Sequence, residues 1–260
     1  MTYLPFFLKK ILTRLFLLFL LFQITSCASR KDVAYFQNAG AYETMVETRD
    51  FEPRLKVDDL LSIYISANNI ESTTAFNLKK GEGISYEEVD YIIDKEGFID
   101  FPVLGKIKLM GLTTEEAKKL IESQLIGKKL LRDPVVNLRI KNFRVTILGH
   151  VKKPGTYSVP TERITLLEAL GLAGDLEMKA RRDNVLVIRD FDGVKTFTRI
   201  NLTTKEFIKS PVYYLTQNDV VYVEPNESAI KTTSLDNRAT IMVSIFSVLI
   251  TSTALILTRN

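Results

Sequence analysis

Apolar residues change their spacing three times along this chain. Near the start, Leu15–Ile24 form an apolar run of about ten residues behind Lys9, Lys10 and Arg14. That run is short for a bilayer crossing and has the length and basic flank of a signal-peptide core. Short strand patterns follow, at Leu60–Ile65, Tyr91–Asp94, Phe98–Phe101, Lys106–Met110, Val135–Ile140, Arg144–Leu148, Thr156–Val159, Val185–Arg189, Thr196–Ile200 and Val220–Val223. Most are β-branched or aromatic and are bounded by Gly, Pro, Asn or Asp. Two segments carry helical spacing instead: Ala117, Leu120, Ile121, Leu125, and Leu166, Leu167, Leu170. At the far end, 239–258 holds no charged side chain between Arg238 and Arg259. As a helix it spans roughly 30 Å, the thickness of a hydrocarbon core.

That last stretch is not uniformly apolar. Thr240, Ser244, Ser247, Thr251 and Thr258 recur at steps of four, three, four and seven, which puts hydroxyls on one stripe. One reading is a single-span anchor whose hydroxyls bond back to their own backbone. The other is a helix with a wet side and a lipid side, satisfied in a ring of copies around a pore. On that second reading Thr240, Ser244, Ser247 and Thr251 line the pore.

The middle predicts an α+β fold of two related modules, 51–140 and 141–226, joined by a linker at 227–238 to the terminal helix. Each module holds a Thr-x-x-Glu capping box, Thr113…Glu116 and Thr165…Glu168, in which the threonine oxygen and the glutamate each satisfy a helix N–H. Gly127 and Gly174 are expected to end the two helices. Asp94-Lys95-Glu96-Gly97 reads as a turn with positive φ at the glycine. Asp58-Asp59-Leu60 is echoed by Asn218-Asp219-Val220, each a polar turn launching a strand. Asn68–Glu88 reads as a long inserted loop, and 27–50 as a polar tether.

Composition sharpens the N-terminal reading. Ile24-Thr25-Ser26-Cys27 resembles a bacterial lipobox, and Cys27 is the one cysteine of the chain. Cleavage after residue 26 and acylation of Cys27 would explain a lone thiol in a secreted protein. The cut removes three cations and no acid, which brings 35 Lys+Arg against 31 Asp+Glu close to neutrality. The sequence pI near 8.9 therefore describes the precursor, and the mature chain has no basic field of the kind nucleic acid requires. With no disulfide, burial must hold the core.

Longer motifs point to a family. Leu55-Lys56-Val57-Asp58-Asp59-Leu60-Leu61-Ser62-Ile63, then Asp94–Gly105, Gly111-Leu112-Thr113, Glu116-Ala117 and Pro134-Val135-Val136 resemble a polysaccharide export domain. Val145–Tyr157, Leu166–Ala169 and Ala173-Gly174 resemble a soluble-ligand-binding β-grasp (SLBB) domain. There are departures: Val57-Asp58-Asp59 stands where the family often has Pro-Gly-Asp, and Asp175 replaces the second glycine of Ala-Gly-Gly. The resemblance implies an outer-membrane lipoprotein, with most of its mass in the periplasm of a Gram-negative-type bacterium. It implies a homo-oligomeric ring, octameric by analogy, whose C-terminal helices pass capsular or extracellular polysaccharide. It also implies an inner-membrane polysaccharide co-polymerase as partner.

Chemistry is sparse. His150 sits at a strand end before Lys-Lys-Pro-Gly, metal sites need clustered His, Cys or carboxylates, and no cofactor is expected. Asp58-Asp59 and Glu87-Glu88-Val89-Asp90 are better explained by turn capping and solvated loops than by a glycosidase pair. We expect no enzyme. Lys152, Lys153, Arg181 and Arg182 are candidate contacts for an acidic glycan. Two alternatives to the exporter stay open: a lipid-anchored adaptor that binds glycan or a partner without a pore, and an envelope glycan hydrolase.

Overall fold

In a computed structural model, the described residues are 33–40, 45–46, 51–80, 87–191, 193–230, 241–248 and 251–252. The expected signal segment and Cys27 lie outside them. The strands and helices of the middle region belong to one compact unit, Tyr35–Glu224.

The first half of that unit is built on β1 (Leu60–Ser66), central in a sheet between β4 (Tyr91–Ile92) and β7 (Val135–Ile140), both antiparallel to it. A hairpin of β5 (Phe98–Phe101) and β6 (Gly105–Lys108) and the helix α1 (Thr114–Gly127) complete it. Inward residues of β1, Leu61, Ile63 and Ile65, alternate with outward ones, as period-two patterning requires. They pack with Ile99, Phe101, Ile107, Leu109, Ala117, Ile121, Leu125 and Leu138. Each buried aliphatic side chain contributes roughly 1.5–3 kcal/mol. Both halves of the expected capping box form at α1: the Glu116 N–H donates to Thr113 Oγ1 (3.1 Å), and the Thr113 N–H donates to Glu116 Oε2 (2.8 Å). Gly127 is the last helical residue, but the left-handed position falls later, on Lys129 (φ 56°). Gly97 turns at φ 88° as expected, and a Cβ there would also lie 2.7 Å from Met110 Cβ. The inserted segment is not entirely loop, since β2 (Lys79–Lys80) pairs with β3 (Glu87–Glu88) inside it.

The second half holds a five-stranded sheet of β8 (Arg144–Gly149), β9 (Gly155–Ser158), β11 (Val185–Phe191), β12 (Val194–Ile200) and β14 (Val220–Val223). Their order is β12-β11-β14-β8-β9, with the central β14 and β8 parallel. A second small ribbon pairs β10 (Ile164–Thr165) with β13 (Tyr214–Leu215). The helix α2 (Leu166–Leu172) opens on the second capping box and buries Leu166, Ala169 and Leu170 with Val145, Ile147, Val185, Val187 and Val221. At Gly149 (φ 88°) a Cβ would sit 2.0 Å from the Val223 carbonyl oxygen, so the strand end requires glycine.

Two sequence departures acquire a structural account. Asp58 (φ 67°) and Asp175 (φ 72°) occupy left-handed positions where the family pattern has glycine. Aspartate is among the residues that tolerate this region. At Asp175 the side chain is also engaged: Oδ1 accepts from the Tyr35 hydroxyl (2.5 Å) and from the Leu176 N–H (2.7 Å).

Part of the segment expected as a tether, 27–50, lies within the described residues. Residues 35–38 form a strap on the second half of the unit. The Phe36 N–H donates to the Leu202 carbonyl (3.2 Å) and the Gln37 N–H to that of Thr203 (2.6 Å). Asn38 exchanges hydrogen bonds with the Glu206 carboxylate and the Lys205 N–H. Phe36 stacks on Phe207 at 5.2 Å. Two adjacent aromatics, Tyr35 and Phe36, supply the apolar area that a polar tether lacks.

In the C-terminal segment, 241–248 and 251–252 are helical. Among the described residues no helix is long and apolar enough to cross a membrane. The expected span 239–258 extends over residues outside the description, Thr240 included.

Candidate functional site at the junction of the modules

The echo between Asp58-Asp59 and Asn218-Asp219 is a structural repeat. In each turn the first residue is left-handed (φ 67° and 64°) and the second is a buried aspartate. Each aspartate accepts, through Oδ2, the backbone N–H three positions earlier: Lys56 N at 2.7 Å and Thr216 N at 2.8 Å. The two turns meet. Lys56 extends Nζ to Thr216 Oγ1 (3.0 Å), the Asp190 carbonyl (3.2 Å) and the Gln217 carbonyl (3.4 Å). Asn142, in the short connection between the modules, donates to the Asp58 carbonyl and accepts the Leu60 N–H. Gln217 donates to the Asn142 carbonyl and accepts the Arg144 N–H. Backbone groups around the starts of β1 and β8 are thus satisfied by the side chains of Asn142 and Gln217.

The two aspartates differ in their partners. Asp219 is fully buried and receives Arg189, with Nη2 at 2.8 Å and Nε at 3.1–3.2 Å. Thr216 Oγ1 donates to its other oxygen at 2.9 Å. Asp59 is 1% exposed, and its Oδ1 has no hydrogen-bond partner among the described residues. Burial pushes its carboxyl up to about 6, against the opposing pull of the Lys56 N–H and ammonium. Burial also holds the Lys56 ammonium below its ordinary value, although Asp219 pulls the other way.

Clefts flank Lys56. One, about 450 Å³, lies between Lys56, Asp58 and Met110 on one module and Ile188, Asp190, Lys195, Asn218 and Val220 on the other. The second, about 480 Å³, is bounded by Phe51, Arg54, Glu116, Arg189 and Thr216. There Arg54 donates to the Gly111 carbonyl (2.6 Å) and pairs with Glu116 (3.4 Å), while Arg189 lies over the Phe51 ring at 5.8 Å.

The cations expected as glycan contacts lie at the other end of the five-stranded sheet. Lys152 and Lys153 are exposed in the loop after β8, tied to Asp175 and Ala173 by backbone hydrogen bonds. Arg181 pairs with Asp183 and Glu224. Arg182 departs from the expectation of a surface cation. It is 4% exposed, donates to the Ala180 and Glu177 carbonyls, and lies over Tyr35 at 5.6 Å, so its role is to hold the strap and the 177–182 loop. His150 meets Glu177 at 3.2 Å on the surface. Among the described residues no group of three or more His, Cys, Asp or Glu could hold a metal ion. In the C-terminal helix Ser247 donates to the Ser244 carbonyl, and Thr251 to those of Ser247 and Val248. These hydroxyls are satisfied by their own helix.

Sequence reasoning found the paired turns but missed Lys56, Asn142, Gln217 and Arg189. The echo itself was the available signal, because two similar turns imply similar buried aspartates that need partners.

Comparison with known proteins follows the same division. Residues 48–141 match the family of polysaccharide biosynthesis/export proteins, and residues 143–223 match the SLBB domain. The chain is 29% identical over 142 residues to the EPS I polysaccharide export outer membrane protein EpsA of Ralstonia solanacearum, covering 54% of this chain and 37% of that protein. The protein of the same name from Ralstonia nicotianae matches at 29% over 142 residues, 54% of this chain and 36% of its own. The aligned region therefore spans little more than a third of these relatives. Together the matches support the polysaccharide export family.

Proposed function

We propose that this chain is a subunit of an outer-membrane apparatus that exports capsular or extracellular polysaccharide, anchored by lipid at Cys27. The observation that carries the reading is the ordered pair of domain matches, 48–141 then 143–223, together with similarity to proteins named for polysaccharide export. Copies assemble as a homo-oligomeric ring, octameric by the family resemblance, and an inner-membrane co-polymerase feeds the polymer. The protein itself performs no covalent chemistry. Lys152, Lys153 and Arg181 are the cations left to meet an acidic polymer, and Ser244, Ser247 and Thr251, with Thr240, are the pore stripe.

Deleting the gene should abolish surface polysaccharide while intracellular precursor accumulates, and the wild-type gene should restore export. Normal export from the deletion strain refutes the reading. A second reading, a lipid-anchored adaptor without a pore, is favoured by one observation: the stripe hydroxyls bond within their own helix. Electron microscopy of detergent-extracted protein separates the two. Rings with converging tails, and export lost in Ser244→Leu/Ser247→Leu/Thr251→Leu, support the channel; monomers and undiminished export support the adaptor.

A further inference from the structure

Resting on the export reading, we infer that the cleft beside Gly193, between the two modules, is a saccharide-binding subsite whose rim continues onto the outer face of the five-stranded sheet. Its volume, about 450 Å³, falls within the range of small-molecule sites. A sugar ring presents an apolar C–H face and an equatorial rim of hydroxyls that both donate and accept. The cleft offers matching surfaces. Met110, Ile188 and Val220 line it with apolar groups, while Asp58, Asp190, Lys195 and Asn218 place carboxylates, an ammonium and an amide around them. Carboxylates accept from neighbouring hydroxyls and the ammonium donates. The charges alternate in sign, with Lys195 3.9 Å from Asp190, so a neutral sugar is not excluded by a field of one sign.

The apolar lining does not stop at the cleft. Strand register aligns Phe197, Ile188, Val220, Thr146 and Thr156 in one row across all five strands. Partners in register share a face, so this row forms a shelf about 19 Å wide at the usual strand spacing. The next row on that face is Arg199, Leu186, Tyr222 and Leu148. Phe197 is 65% exposed at the shelf's edge, the position from which an aromatic ring can stack on a sugar's C–H face. The cleft on the Arg54 side is less suited, because Arg54 and Arg189 are already committed to Gly111, Glu116 and Asp219.

The test uses full-length protein in mild detergent. The probe is the set of oligosaccharide fragments made by partial acid hydrolysis of the polysaccharide the producing cells release. Saturation-transfer NMR should show contact between wild type and fragments. Asp190→Asn/Phe197→Ser should weaken apparent affinity at least tenfold with an unchanged melting temperature, and Lys119→Ala, on the exposed face of α1, should not. Absence of transfer from folded wild type, or transfer insensitive to Asp190→Asn/Phe197→Ser, overturns the subsite. So does a variant that keeps transfer but sediments as a smaller species, since the shelf is then a contact between copies. The gene-deletion experiment reports on the export reading separately: defective export with no fragment binding removes the subsite alone.

Discussion

The turns at Lys56–Asp59 and Thr216–Asp219 share a backbone and differ in electrostatics. Both put an aspartate out of solvent at the start of a strand, and both use it to receive the N–H three residues back. One of the two has an arginine. Asp219 with Arg189 is a buried pair, in which the guanidinium satisfies both oxygens. Asp59 has Lys56 nearby, but that ammonium is spent across the junction on Thr216 and two carbonyls. The difference shows how a repeated motif diverges: the second module closes a buried ion pair at its aspartate, whereas the lysine of the first hydrogen-bonds across the junction to the second.

The largest test removes the arginine. Arg189→Met should destabilise by about 3–5 kcal/mol at neutral pH by stranding Asp219. Adding Asp219→Asn should recover most of that loss in denaturant melts; a single-variant loss under 1 kcal/mol would erase the contrast between the turns. Next comes pH. Asp59 holds its proton more tightly folded (about 6) than at its ordinary value of 3.8. Its contribution is therefore fully present below pH 3.8 and lost as pH rises through 6, an effect of up to about 3 kcal/mol at 1.36 kcal/mol per pH unit. The stability difference between wild type and Asp59→Asn, followed from pH 3 to 8, should shift in favour of the variant between pH 3.8 and about 6 and level off above that. A flat difference would mean that Asp59 is compensated after all.

A smaller effect is expected at Lys56→Met, about 1–2 kcal/mol from lost cross-junction hydrogen bonds. Limited proteolysis should then cut faster near Asn142, whereas unchanged cutting would deny the fastening role. Smallest is the backbone term. Asp58→Gly relieves a left-handed aspartate and should raise stability by about 0.5 kcal/mol. Asn218→Gly should net close to zero, because it also loses the Arg144 hydrogen bond. Calorimetry of the pair distinguishes the two.

The local signals in the sequence were reliable where the physics is local. Both capping boxes, the Gly97 turn and most strands follow from neighbours within a few positions. Val135–Ile140 and Val220–Val223 form over the expected residues. What escaped was set by distant partners. The pairs β2–β3 and β10–β13 are two residues long on each strand, too short for a periodic signal. Arg182 looked like a solvated cation because its burial depends on Tyr35, far away in sequence. The contacts of the strap escape a sequence reading because Tyr35-Phe36 is too brief an apolar segment to predict its partners. At the junction, the turns were visible, but the lysine and arginine that distinguish them were not.

The strap also sets an order of events during biosynthesis. Asn38 is made 167 positions before Lys205, the residue whose N–H its side chain accepts. At ordinary elongation rates, that interval is on the order of ten seconds. Until it closes, nascent Phe36 waits without the ring it will stack on, and the second module, once made, is closed over by residues 35–38.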